Sequence, residues 1–120
     1  MKFLCMMKAT SESEAGLPPE PAMMEAMGKL MEQSFKEGKM VMGAGLGPSS
    51  MGARVQTAGG KISVVDGPFA EIKELVAGFA IMELPSLEAA VQEGKRMMQL
   101  HLDVLGPGYE GTCEVRQMFD

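Results

Sequence analysis

The sequence predicts a single α+β domain spanning residues 1–120, in which helices and strands alternate along the chain. Three observations support this prediction. Apolar residues make up 46% of the chain and charged residues 22%, a balance typical of a globular domain. Two segments carry apolar side chains at the three- and four-residue spacing of an amphipathic helix. Several shorter apolar runs, bounded by Gly, Pro and Ser, have the length of strands.

The first unit is predicted to be a strand followed by a helix. Residues 2–8 (KFLCMMK) are apolar on both alternating faces, which indicates a strand in the interior of a sheet. Residues 9–22, rich in Ser, Glu, Gly and Pro, are expected to form a surface loop. Pro21 suits the first turn of the helix and Gly38 its end. The apolar stripe of this helix consists of Met23, Met27, Leu30, Met31, Ser34 and Phe35.

The middle of the chain is predicted to be rich in strands. Residues 39–46 form a second strand, and residues 52–58 and 61–65 flank an Ala-Gly-Gly turn, as the two strands of a hairpin do. Residues 66–74 (DGPFAEIKE) follow as a structured loop. Residues 75–84 (LVAGFAIMEL) are again apolar on both faces, which indicates another interior strand.

A second helix and a last strand complete the domain. Ser86 suits the N-cap of the helix. The helical stripe consists of Leu87, Ala90, Val91, Gly94, Met97, Met98 and His101. Residues 112–119 are predicted to form the last strand. The element order β-α-β-β-β-β-α-β is that of a ferredoxin-like frame carrying an extra β-hairpin.

The interior strands also predict a homodimer. Two helices can cover only one face of a sheet, yet residues 2–8 and 75–84 are apolar on both faces. A second copy of the sheet is the simplest cover for the other face, and it implies a two-fold symmetric dimer.

Several segments resemble a known family. Residues 66–79 (DGPFAEIKELVAGF) are similar to the signature of the DGPF, or YCII-related, family, whose usual form reads DGPFAETKE; Ile72 departs from the usual Thr. Supporting matches are KATSESEAG (8–16), GPSSMGARV (47–55) and EVRQMF (114–119). The resemblance implies a dimeric α/β-barrel, in which two ferredoxin-like protomers pack their sheets face to face. It implies little about function, because most members are uncharacterised, some related domains are thought to be enzymes and a few are associated with transcription sigma factors.

Asp66 is the first candidate for a functional residue. It ends a predicted strand and precedes Gly67 and Pro68, so its carboxylate is expected beside the sheet. There it could act as a general base or bind a polar group of a substrate. The alternative is that Asp66 caps its own turn by accepting hydrogen bonds from nearby backbone N–H groups.

Four further residues are candidates for ligand binding. If the segment is extended, Glu71 and Lys73 lie on one face, near an anionic or carbonyl ligand; the alternative is a solvated surface pair. Phe69 could line the floor of a pocket, or could anchor its loop in the core or the dimer interface. His101 is the only histidine of the chain. It could form an acid–base pair with Asp66, or have a structural role at the end of the second helix.

Charge and composition argue against other partners. The net charge is −5 and no window holds a cluster of Lys and Arg residues, so direct binding to nucleic acid is not expected. No apolar run approaches the roughly 20 residues that span a bilayer, and we expect a cytoplasmic protein without membrane contact. Cys5 and Cys113 are expected to be reduced and buried. One His and two distant Cys lack the spacing of a metal site, and nothing in the sequence requires a cofactor.

The sequence thus leaves two hypotheses for function. The first is a protein that binds a small polar or aromatic metabolite in a pocket near the DGPF motif, with Asp66 at its polar centre; whether it catalyses a reaction, such as acid/base proton transfer, stays open. The second is a non-catalytic protein-interaction or regulatory module, with a link to transcription as one option. Ser49 and Ser50 have no base placed beside them by the sequence, so a nucleophilic role is not supported.

Overall fold

The computed structural model of the protein describes residues 1–119, which form six strands and three α-helices. In chain order these are β1 (Lys2–Lys8), α1 (Ser11–Glu14), α2 (Pro21–Lys36), β2 (Met40–Gly45), β3 (Ala53–Ala58), β4 (Lys61–Asp66), β5 (Val76–Glu83), α3 (Leu87–Leu105) and β6 (Cys113–Gln117). Short 3-10 turns lie at Ser49–Met51 and Ile72–Glu74.

Four strands form one antiparallel sheet in the order β2-β5-β1-β6, and β3 and β4 form a separate hairpin. The interior positions predicted for β1 and β5 are confirmed, because each has a paired strand on both sides. The fold is therefore mixed α+β with antiparallel sheets and three helices, which is compatible with a ferredoxin-like arrangement.

Local sequence signals fix the ends of the two long helices, as predicted. Pro21 is the first residue of α2, where its missing N–H breaks no helical hydrogen bond. Gly38 follows the end of α2 with a φ of 72°, a conformation that costs glycine little. At the start of α3, Ser86 Oγ accepts a hydrogen bond from the N–H of Ala89 (3.1 Å).

Two local predictions are wrong. The segment 9–22 is not all loop, because α1 forms one helical turn within it. Thr10 Oγ1 accepts from the N–H of Ser13 (3.2 Å), and Ser13 Oγ accepts from the N–H of Thr10 (2.9 Å); this reciprocal cap holds the turn. Phe35, predicted on the buried stripe of α2, is 48% exposed, because the buried face of the helix is centred on Met23 and Ser34 and the next residue is turned away from it by about 100°.

The hydrophobic core lies between one face of the four-stranded sheet and the helices. α2 and α3 pack against each other; α2 also packs on β2, and α3 on β1 and β6. Phe3 in β1 is completely buried opposite its cross-strand partner Met82 in β5. The other buried residues of this cluster are Cys5, Leu84 and Ala90. Truncation of a buried phenylalanine typically costs about 3–5 kcal/mol, so Phe3 anchors the fold.

The opposite face of the sheet is apolar and carries no helix within residues 1–119. Cross-strand pairing aligns Leu4 with Ile81 and Met6 with Phe79 on this face. Met42 of β2 pairs with Ile81 and is 48% exposed. We refer to these five side chains as the open sheet face.

The two cysteines lie on the core side of the sheet as free thiols. Burial, together with the neighbouring Cys113 and Glu93, raises the pKa of the Cys5 thiol to about 11. Burial also raises the pKa of Cys113. Both thiols therefore stay protonated near neutral pH; Cys5 is buried, as predicted, whereas Cys113 is only half-buried.

Four charged side chains connect the end of α2, the start of β2 and the middle of α3. Lys39 Nζ lies 2.8 Å from Glu93 Oε1 and 3.0 Å from Glu37 Oε2. Arg96 Nη1 lies 3.3 Å from Glu37 Oε1 and 3.7 Å from Glu93 Oε2. We call this group the four-residue ion cluster. Such networks hold elements together better than isolated surface pairs do.

Candidate functional site

The base of the β3–β4 hairpin brings the DGPF loop against the turn at Ser49–Met51. The N–H of Gly67 donates a hydrogen bond to the carbonyl oxygen of Gly52 (3.0 Å), and the Gly67–Pro68 peptide bond is cis. A Cβ atom at position 67 would overlap the carbonyl oxygen of Ser49. Glycine is therefore required here because two backbone segments touch.

Ser49 is the centre of a hydrogen-bonded cluster that joins three distant segments. Its N–H donates to Glu14 Oε1 (2.8 Å) and its hydroxyl donates to Glu14 Oε2 (2.5 Å). The same hydroxyl oxygen accepts from the N–H of Phe69 (3.0 Å). One serine thus ties α1 to the DGPF loop. The carboxylate makes the two hydrogen bonds from Ser49 to Glu14 charge-assisted, and so stronger than bonds between neutral groups.

Arg54 of β3 covers the DGPF loop from the other side. Its guanidinium carbon lies 3.9 Å from the centre of the Phe69 ring. The same side chain forms an ion pair with Glu74, with Nη2 3.7 Å from Oε2. A cation over an aromatic face at a partly exposed site contributes about 0.5–1 kcal/mol, enough to order the Phe69 ring.

A cleft of about 370 Å³ opens beside this cluster. One end carries the half-buried carboxylate of Glu14 and the Ser49 turn. The apolar part of the wall comes from Leu46, Met51, Leu75 and Val76. An apolar concavity with a few polar groups at one end has the general character of a small-molecule site.

Asp66 is exposed at the end of β4, opposite Ala53 of β3. It does not cap the turn that follows it. The N–H groups of Gly67 and Phe69 donate to Gly52 and Ser49, and Pro68 has no N–H to donate. The turn-capping alternative is therefore wrong, because the Asp66 carboxylate accepts neither of these hydrogen bonds.

The other sequence candidates do not form one site. Glu71 and Lys73 are exposed, and the extended segment assumed for them is wrong, because Ile72–Glu74 is a 3-10 turn. Phe69 is half-buried under Arg54, at the edge of the Ser49 cluster.

His101 makes its contacts in a different part of the molecule. Its Nδ1 lies 2.8 Å from the carbonyl oxygen of Met97, one turn earlier in α3. Its ring stacks on Tyr109, with 5.0 Å between the ring centres. Burial raises the pKa of the Tyr109 hydroxyl. These contacts belong to α3 and the loop before β6, which favours the structural alternative for His101.

Sequence reasoning missed the residues at the centre of the cluster. The sequence places no base beside Ser49, yet in the fold Glu14, 35 positions earlier, supplies a carboxylate that accepts its hydrogen bond. Arg54 was not singled out. A signal for all three was available, because Glu14 lies in the KATSESEAG segment and Ser49 and Arg54 lie in GPSSMGARV.

The family model of the YCII-related domain matches residues 1–100. The chain belongs to the YCII-related family. It is also similar to an uncharacterized protein of Rhizobium meliloti (strain 1021), with 28% identity over 88 residues that cover 73% of this chain and 71% of that protein. The three segments that converge on Ser49 all lie within the part matched by the YCII-related family.

Residues 1–119 contain neither a helix that could cross a membrane nor a group of side chains that could hold a metal ion. None of the helices within residues 1–119 is long and apolar enough to cross a membrane. In the same part of the chain, no three His, Cys, Asp or Glu side chains are grouped as metal ligands would be.

Proposed function

We propose that this YCII-related protein binds a small metabolite in the cleft beside the Ser49 cluster. The observation that carries the proposal is the convergence of Glu14, Ser49 and Phe69, from segments far apart in the chain, beside a cleft with apolar walls. A hydrogen-bonded polar group beside an apolar concavity is the usual form of a ligand site.

The composition of the cleft suggests the chemistry of the ligand. Leu46, Met51, Leu75 and Val76 suit a small apolar or aromatic body. Glu14 and Ser49 offer a polar end. We therefore propose an amphipathic metabolite with one polar or carbonyl group. If the protein is an enzyme, Asp66 is the residue that we propose as the acid/base.

We further propose that the protein works as a homodimer in which two sheets pack face to face as a dimeric α/β-barrel. The open sheet face supports this, because Leu4, Met6, Phe79 and Ile81 form an apolar surface without a cover in residues 1–119. The free thiols suit a reducing compartment, so we propose a cytoplasmic location.

A thermal-shift screen against a library of small metabolites tests the binding proposal. A ligand present at about a hundred times its Kd adds about 2.7 kcal/mol, or about 10 °C in a domain of this size. We expect at least one such hit with the wild-type protein and its loss in Ser49→Ala, because Ser49 lines the cleft; a further loss in Asp66→Asn would bring Asp66 into the site. Asp103→Asn, an exposed aspartate on α3, is the matched control and should keep the hit.

The outcomes separate the parts of the proposal. A hit that persists in Asp66→Asn but disappears in Ser49→Ala would support the cleft and remove Asp66 from the site. Failure of every compound to shift the wild-type protein would contradict the binding proposal.

The exposed β3–β4 hairpin favours a second candidate, a non-catalytic protein-interaction or regulatory module. Val55, Ile62 and Val64 are apolar and exposed on one hairpin face. This candidate predicts that the face stays exposed in the purified protein, with no metabolite bound. The interaction module would be supported by two results together: hydrogen exchange in residues 53–66 that does not depend on protein concentration, and a ligand screen without a hit.

A further inference from the structure

The side chains at the polar end of the cleft offer hydrogen-bond acceptors. Glu14 lines the cleft, and its two carboxylate oxygens accept from the N–H and the hydroxyl of Ser49. A carboxylate has about four lone-pair positions, so about two remain for a further donor. The hydroxyl proton of Ser49 is directed at Glu14, and its oxygen accepts from the N–H of Phe69. Ser49 therefore has no hydroxyl proton left to donate to a ligand.

The backbone around the cleft adds few donors. Pro48 has no N–H. Four other lining residues donate their N–H groups to carbonyl oxygens of the fold: Leu46, Met51, Gly52 and Leu75. A carboxylate or phosphate of a ligand would therefore meet the negative charge of Glu14 with few donors to offset it, and an unpaired charge is costly beside apolar walls. The cleft thus disfavours an anionic ligand.

No side chain of the described chain neutralises the charge of Glu14. Within residues 1–119 none of the ion pairs includes Glu14, and no Lys, Arg or His lines the cleft. Arg54 is engaged elsewhere, over the Phe69 ring and beside Glu74. A half-buried carboxylate gains most from a cationic donor, because a hydrogen bond between two charged groups is stronger than one between neutral groups.

We infer that the cleft is an amine site, in which Glu14 binds the protonated amino group of the ligand and the apolar wall holds its body. The inference rests on the proposed function and narrows it, because the polar group of the ligand becomes a cationic hydrogen-bond donor instead of a carbonyl. A volume of about 370 Å³ suits a body of one aromatic ring or a branched aliphatic chain. Ser49 is a positioning residue here, since it orients the carboxylate that makes the contact.

Three probes with the same apolar body and different polar groups test the amine site. At pH 7, 2-phenylethylamine is a cation, 2-phenylethanol is neutral and phenylacetate is an anion. NMR titration of isotope-labelled protein gives each Kd, and the amide signals of Leu46, Ser49 and Leu75 report binding in the cleft. We expect the amine to bind at least about 10-fold more tightly than phenylacetate, because a hydrogen bond to a charged group is worth that factor or more. Equal or tighter binding of phenylacetate would overturn the inference.

Two matched variants assign the preference to Glu14. Glu14→Gln removes the charge and keeps an oxygen that accepts from the N–H of Ser49, whereas Glu12→Gln makes the same change at an exposed residue of α1. We expect the preference for the amine to be lost in Glu14→Gln and kept in Glu12→Gln. A preference that survives in Glu14→Gln would contradict the amine site. The ranking of the three probes on the wild type needs no variant, so it tests the inference even if Glu14→Gln does not fold.

The same titrations separate the amine site from the proposed function. If phenylacetate or 2-phenylethanol moves the cleft signals and the amine does not, the amine site is wrong and the cleft remains a ligand site. If none of the three probes moves these signals, the amine site is wrong, and the metabolite screen decides the proposed function independently.

Discussion

At the scale of single residues, the site depends more on the close approach of two backbone segments than on reactive side chains. Gly67 lets the DGPF loop lie directly on the backbone of Ser49, and the Ser49 hydroxyl then meets Glu14 and the N–H of Phe69. Sequence reasoning found Asp66 and Phe69 because they stand in a recognisable motif. It missed Glu14 and Ser49, because a pairing across 35 positions is visible only in the folded chain.

Gly67→Ala tests the importance of this approach. The new methyl group would collide with the carbonyl oxygen of Ser49, a backbone atom that cannot rotate away. We expect a loss of about 1–3 kcal/mol in the free energy of unfolding, seen as a drop of about 5–10 °C in Tm. Gly45→Ala is the control, because its Cβ atom would have no neighbour within 4 Å. Equal Tm values for the two variants would contradict the steric argument.

At the scale of elements, helix ends and strand positions were predictable because their signals are local. Pro21 and Ser86 mark helix starts by their own backbone chemistry, and the two-sided apolar pattern of residues 2–8 identifies an interior strand. The turn of α1 was missed because its reciprocal cap, Thr10 with Ser13, lies in a stretch whose composition is that of a loop. The 3-10 turn at Ile72–Glu74 carries no such cap.

The four-residue ion cluster predicts a pH dependence of stability. The hydrogen bond from Lys39 holds the pKa of Glu37 below its ordinary value of 4.5. A lowered folded-state pKa stabilises the fold above pH 4.5, and this contribution is lost as the pH falls through the folded-state value. We expect Glu37→Gln to lower Tm by about 2 °C at pH 7, and this difference to shrink as the pH falls below 4.5.

Thermal unfolding of both proteins across this pH range checks the prediction. Glu25→Gln is the control, since its i,i+4 pair with Lys29 is exposed and contributes little at either pH. A Tm difference between wild type and Glu37→Gln that persists unchanged at pH 3 would exclude Glu37 as the titrating group.

At the scale of the whole molecule, the fold class was predictable from the sequence, and the homodimer stays a prediction. The order of elements and the two-sided strands lead to an α+β fold with its helices on one face of the sheet. The strands that are apolar on both faces also predict that the open sheet face is covered by a second copy, but several symmetric packings of two copies would cover it.

A homodimer predicts a melting temperature that depends on concentration. Dimerisation stabilises the folded state by mass action, so a hundred-fold increase in protein concentration should raise Tm by about 5 °C. Differential scanning calorimetry between 1 and 100 μM measures this. A constant Tm over that range would contradict a dimer that dissociates on unfolding.

The interior position of β1 affects how the chain folds during its synthesis. Phe3 pairs with Met82 on one side and with Gln117 on the other, so both partners are made long after β1 itself. Translation adds roughly 5–20 residues per second, so β1, which is apolar on both faces, remains without its partner strands for several seconds. Such long-range pairing also slows folding once the chain is complete. Substitutions that make residues 2–8 more hydrophobic would therefore reduce the yield of folded protein in cells more than they change the stability of the finished domain.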